Sequence, residues 1–210
     1  MRWVLLLSLL ACSEQKKARK LDPDLIRVSS DARMRTDKVG SGEFEDTATF
    51  VLVEATNDAG EGAYVTLGGQ LNDSAKNKVA DLTMASLWIP AHATRAYALV
   101  DTERKPRPQA VAATILMRGA QVPVAPPTAH VEDIHQFPDQ GRIVANGMLV
   151  NDADREGVVE VIAVFHDKDH RPMTRPFQMV DIAPRNSTTV QFVGPVGSVD
   201  ADIYVGDMAY

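Results

Sequence analysis

Apolar and polar positions alternate with period two over most of the chain beyond residue 46. In "AYVTLGGQLND", Val65, Leu67, Gly69 and Leu71 share one face. In "AVAATILMRG" the shared face carries Val111, Ala113, Ile115 and Met117. In "SVDADIYVGD", Val199, Ala201, Ile203 and Val205 point one way, and Asp200, Asp202 and Tyr204 the other. This is the alternation of a half-buried antiparallel strand. "GVVEVIAVFHD" is apolar on both faces and reads as a central strand. Asn57-Asp58, Asn72-Asp73 and Asn151-Asp152 each follow an apolar run, where their side chains can bond to nearby backbone and favour turns. No long stretch has a 3.6-residue period. The pattern predicts an all-β protein.

Three blocks recur in order. "YVTLGGQLND" (64–73) parallels "RIVANGMLVND" (142–152), "WIPAHATRAYALVD" (88–101) parallels "DIAPRNSTTVQFVG" (181–194), and "PQAVAATILMRGA" (108–120) parallels "GSVDADIYVGDMA" (197–209). This predicts two small tandem β-sandwich units over 46–122 and 130–210, joined by a Pro-rich linker at 123–129. The spacings are unequal: Asn72 and Asn151 lie 79 residues apart, Pro90 and Pro184 lie 94 apart. On that register the second unit gains an added hairpin at "HDKDHRPMTRPFQMV". Residues 13–45 are polar and poorly periodic, which predicts a flexible tether over 12–45, with room for a short helix around 24–35.

The start of the chain has a different pattern. Arg2 precedes an apolar run from Trp3 to Ala11, too short for a spanning helix and shaped like a signal peptide, residues 1–11. The run ends at Leu9, Leu10, Ala11 and Cys12, and "LLAC" resembles the lipobox of bacterial lipoproteins. The resemblance implies that Cys12 becomes the acylated N-terminus and anchors the protein to a membrane, and that Ser13 after it favours the outer over the inner membrane. Cys12 is the only cysteine, so its lipidation would leave no thiol for a disulfide, a nucleophile or a zinc site. Lys16, Lys17, Arg19 and Lys20 follow and could touch anionic headgroups. Residues 142–205 also resemble the FxLyD-type domains of prokaryotic envelope lipoproteins. The resemblance rests on Gly147 and Asn151, "VIAVFHDKD" and "IAPRNSTTVQF", although His166 stands where an aromatic is common. It implies an immunoglobulin-like sandwich without known catalytic residues.

Charge and motifs narrow the functions. With 22 Lys and Arg against 28 Asp and Glu the net charge is −6, which disfavours nucleic acid as a partner. G-x-S-x-G, the P-loop and G-x-G-x-x-G are absent. The five-residue spacing of His130 and His135 suits neither a strand nor a helix ligand pair. His166, Asp167, Asp169 and His170 form the one candidate metal set, a hairpin tip where imidazole and carboxylate could converge. Met148, Met173, Met179 and Met208 are scattered and read as core filler. The expectation is a non-catalytic, lipid-anchored envelope protein without a cofactor, acting on a protein partner. The alternative is a protein that binds a small ligand or divalent metal.

Overall fold

The computed structural model describes residues 17–39 and 45–209. Its strands are β1 (Arg19–Lys20), β2 (Ile26–Val28), β3 (Arg33–Val39), β4 (Asp46–Asn57), β5 (Ala63–Asn72), β6 (Lys78–Ile89), β7 (Thr94–Val100) and β8 (Ala112–Val122). They continue as β9 (Ala129–Asp139), β10 (Arg142–Asn151), β11 (Gly157–His166), β12 (Pro172–Thr174), β13 (Phe177–Ile182), β14 (Ser187–Val193) and β15 (Asp200–Ala209). Every pairing is antiparallel. The one helical turn among the described residues is a 3-10 turn at Pro23–Leu25, capped by the Asp22 carboxylate.

The first unit is a sandwich of two sheets. One runs β1-β8-β5-β6. The other centres on β4, with β7 along one edge and β2 and β3 end to end along the opposite edge. Val51, Val53, Ala55, Tyr97 and Leu99 from the β4 sheet meet Val65, Leu67, Leu71, Leu87 and Ile89 from the β5 sheet. The buried Tyr97 hydroxyl donates to the Val65 carbonyl at 2.8 Å, so a polar group inside the core ties the layers together.

The second unit repeats this plan. β10 lies between β9 and β14, and β11 lies between β15 and the pair β12 and β13. In both units the sheet of the central strand β4 or β10, with β2, β3 and β7 or with β9 and β14, faces the sheet of β5 or β11, with β6 and β8 or with β12, β13 and β15, the partition of a small two-sheet sandwich.

Two expectations require correction. Residues 19–39 belong to the first unit and are not tether: β1 pairs with β8, and β2 and β3 complete the edge of β4. The charges that hid β3 (Arg33, Arg35, Asp37, Lys38) suit an exposed sheet edge, where they deter pairing with other chains. The segment around 24–35 is not an α-helix: it holds the end of the 3-10 turn, β2 and the start of β3.

The repeat register also differs from the one predicted. Asn57, not Asn72, is the counterpart of Asn151. Asn57 Nδ2 donates to the carbonyls of Glu61 at 2.8 Å and Ile89 at 3.1 Å, and its Oδ1 accepts from the Ala59 amide at 3.0 Å. Asn151 Nδ2 donates to Arg155 at 3.0 Å and Ala183 at 3.1 Å, and its Oδ1 accepts from Ala153 at 3.0 Å. Each partner lies at the same sequence offset from its asparagine. The next turns match as well. Asp73 Oδ1 accepts from the amides of Ala75 and Asn77, and Asp167 Oδ1 from those of Asp169 and Arg171. Lys76 (φ 65°) and His170 (φ 55°) take the same left-handed position.

The two asparagines, the two aspartates and the two turn residues are thus all separated by the 94 residues that separate Pro90 from Pro184. No hairpin is added. "HDKDHRPMTRPFQMV" is the counterpart of the β5–β6 turn and of β6 itself. Pro176, which has no amide hydrogen to donate, sits between β12 and β13 where β6 runs unbroken.

Candidate functional site

Both faces of β11 are buried, which is why its sequence lacks alternation. Val159, Val161, Ala163 and Phe165 fill the second unit's own core. Ile162 and Val164, with Tyr204 of β15, instead join the core of the first unit. They lie against the outer face of the β4–β7 sheet, where Leu52 is fully buried and Ala96 nearly so. The layers therefore stack as β5 sheet, β4 sheet, β11 sheet, β10 sheet. The seam joins non-equivalent faces of two similar units, a head-to-tail contact.

Polar groups fix this seam. The Tyr204 hydroxyl donates to the Ala96 carbonyl at 2.7 Å, and Arg175 Nε donates to the same oxygen at 3.0 Å. The Arg95 guanidinium lies 4.5 Å from the centre of the Tyr204 ring, a cation–π contact. Burial pushes the Tyr204 hydroxyl pKa up and the Arg95 pKa down, since each charged form loses water.

A charged cluster lies beside the aromatic contact. His166 Nε2 stands 3.3 Å from Glu54 Oε1 across the seam. The Glu54 hydrogen bond raises the His166 pKa against burial, with Asp202 and Asp200 adding to the rise. Burial raises the Asp202 carboxyl, opposed by His166 and Arg95. The turn after β11 is held too: Asp167 meets Arg33 at 3.2 Å, and Arg171 meets Asp31 at 3.0 Å.

The four metal candidates therefore have other partners or directions. His166 faces Glu54. The Asp167 carboxylate is occupied by two turn amides and Arg33, which hold its pKa below the usual carboxylate range, the Arg171 amide most strongly. Asp169 lies 3.5 Å from Lys168, and His170 occupies the left-handed turn position. Among the described residues no group of three or more His, Cys, Asp or Glu is placed to hold a metal ion. His130 sits between Glu132 at 3.6 Å and Asp152 at 3.4 Å, while His135 pairs in register with Asn146. The four methionines are on β10, β12, β13 and β15, and they do not fill the core as expected: Met148 and Met173 are only half-buried and Met179 is exposed. Cys12 lies outside the described residues.

Where the units diverge, the seam opens into a cleft of about 560 Å³. Phe50, Leu52, Val100, Met173 and Phe177 form its apolar lining, and Arg35, Lys38, Asp37 and Glu160 its charged surround. The cleft lies toward the Val39 end of β3, away from the end where β1 enters the fold. Such a surface could accept a small amphiphile or an apolar side chain of a partner.

Sequence reasoning did not identify Glu54, Arg95, Arg175 or Tyr204 as seam residues. Two signals pointed to them: the two-sided apolar run of β11, and an aromatic in line with Asp200 and Asp202 on the polar side of β15. No protein-family model matches the chain. No curated protein matches it.

Proposed function

We propose that the protein is a lipid-anchored, non-catalytic lipoprotein of the cell envelope, held at the outer membrane through acylated Cys12, and that it presents its paired sandwiches to a protein partner. The observation that carries the reading is the "LLAC" run ending at Cys12, only seven positions before Arg19 opens the first strand. The seam supports a scaffold role. It spends its polar groups on joining the units, with the Tyr204 hydroxyl, Arg175 and His166 all turned toward the first unit.

A second reading, binding of a small amphiphilic ligand, is favoured by the cleft lined by Phe50, Leu52 and Phe177. Membrane fractionation with acyl labelling tests the first reading. Wild-type protein should take up label and sediment with membranes, and Cys12→Ser should do neither. Labelling that persists in Cys12→Ser overturns the anchor. In-cell crosslinking under several growth conditions then tests the partner: recovery of a specific envelope protein supports the scaffold role, and its absence throughout favours the ligand reading.

A further inference from the structure

The short interval between Cys12 and β1 restricts how an anchored molecule can sit. Seven virtual bonds separate the two residues, so a fully extended chain spans at most about 25 Å. The end of the first unit at which β1 enters must therefore stay near the bilayer. At that end, one row of cross-strand partners crosses the whole β1-β8-β5-β6 sheet: Lys20 opposite Gln121, Gln121 opposite Tyr64, and Tyr64 opposite Trp88.

Direct cross-strand partners share a face. Here it is the outward one, since Ala63, Val65, Leu87 and Ile89 on either side of the aromatics are in the core. The Tyr64 and Trp88 rings are in tilted contact, with centroids 5.5 Å apart. The indole packs over Gly62, where a Cβ would collide with it, and both rings are half-buried. Lys20 is exposed at the other end of the row, and Lys17 is exposed just before β1. The next row inward, Gly119, Thr66 and Ser86, has neither cation nor aromatic. A packed Tyr–Trp pair in the same row as an exposed lysine suits the bilayer interface, where amphipathic rings sit at headgroup level and cations meet anionic lipid.

Resting on the lipid-anchor reading, we propose that this row, Lys20-Gln121-Tyr64-Trp88, docks onto an anionic lipid surface and sets the molecule's orientation. The cleft between the units then faces away from the membrane.

Trp88 is the only tryptophan after Trp3, and Cys12 the only cysteine, so one chain provides both a native reporter and a unique attachment point. All described sheets lie within residues 17–209, so the chain from Cys12 onward retains them. Coupling Cys12 to a maleimide phospholipid places that chain on vesicles of phosphatidylcholine and phosphatidylglycerol, whether or not cells acylate it. Lipids brominated near the headgroup should quench Trp88 emission strongly. The Lys17→Glu/Lys20→Glu double variant, or a long Gly-Ser insertion after Ser13, should lose most of that quenching while keeping the solution emission spectrum. Equal emission in brominated and plain vesicles overturns the proposal, as does quenching that both variants retain in full. The intact mass of membrane-extracted protein reports acylation separately: an unmodified Cys12 would overturn the anchor, and the vesicle result would still judge the docking row.

Discussion

β5 and β11 hold the same place in their two units, yet their outer faces differ in kind. β5 presents Thr66, Gly68 and Gln70 outward, and at the corresponding positions β11 presents Glu160, Ile162 and Val164. The inner faces remain alike, with Val65 and Leu67 answering to Val159 and Val161, all fully buried. The sandwich itself thus constrains one face of the strand, and the neighbouring unit constrains the other. A polar outer face on β5 also leaves the first unit without a second surface of the kind used at the seam, so the head-to-tail contact is made once and does not propagate through like faces.

The largest expected effect tests that contrast. Ile162→Ala should cost about 2–5 kcal/mol in urea unfolding, because it empties a packed site between the units. Gln70→Ala, two residues beyond Gly68 on the outer face, removes only the 2.9 Å hydrogen bond from Gln70 Nε2 to Asn72 Oδ1 and should cost about 1 kcal/mol. Similar costs at the two sites would mean that the seam contributes little.

The shared asparagines come next. Removing either side-chain amide leaves buried carbonyls unsatisfied, so Asn57→Ala and Asn151→Ala should each cost about 2–3 kcal/mol. The Asn57 amide also reaches the Pro90 carbonyl at 3.2 Å. A large loss at one site alone would break the structural equivalence.

A smaller effect separates hydrogen bonding from packing at the seam. Tyr204→Phe keeps the ring under Arg95 and should cost about 1 kcal/mol. The loss is limited because Arg175 still donates to the Ala96 carbonyl.

The smallest effect is a dependence on pH. His166 binds its proton more tightly folded than unfolded, so its contribution to stability is complete below the ordinary value of 6.5 and is lost as pH rises through the raised folded value. Asp202, whose carboxyl is also raised, acts in the same direction in more acidic solution. Unfolding free energy should therefore decline between about pH 6 and pH 8, and His166→Gln should flatten the slope. An increase over that range would contradict the assignment.

Particular residues mark the limit of what the chain discloses. Most of the core-facing residues of β5, β8 and β15 were readable from alternation: Val65, Leu67, Ile115, Ala201 and Ile203 pack as expected, whereas Val111 and Val199, assigned to the same faces, lie exposed before their strands begin, and Tyr204 on the other side of β15 is buried in the seam. β3 was not readable, since an edge strand needs few apolar residues and carries Arg33, Arg35 and Lys38 instead. The repeat was visible but out of register, because two kinds of Asn-Asp turn look alike in sequence. Asn57 and Asn151 turn their side chains inward to close a loop, whereas at Asn72-Asp73 the aspartate organises the turn and its partner in the second unit is His166-Asp167. For the seam, the double-sided burial of β11 could be inferred, but its partner could not. The contact joins Glu54 to His166 across more than a hundred residues, and no local pattern encodes that distance.

Native-state hydrogen exchange tests the central claim most directly, that the seam makes two similar sandwiches one cooperative body. The account predicts that amides of β5 and β8, in the outermost sheet of the first unit, open with the same free energy as those of β10 and β14 in the outermost sheet of the second. It also predicts that Ile162→Ala lowers both sets together. Two distinct opening free energies, with Ile162→Ala lowering only that of the second unit, would contradict it.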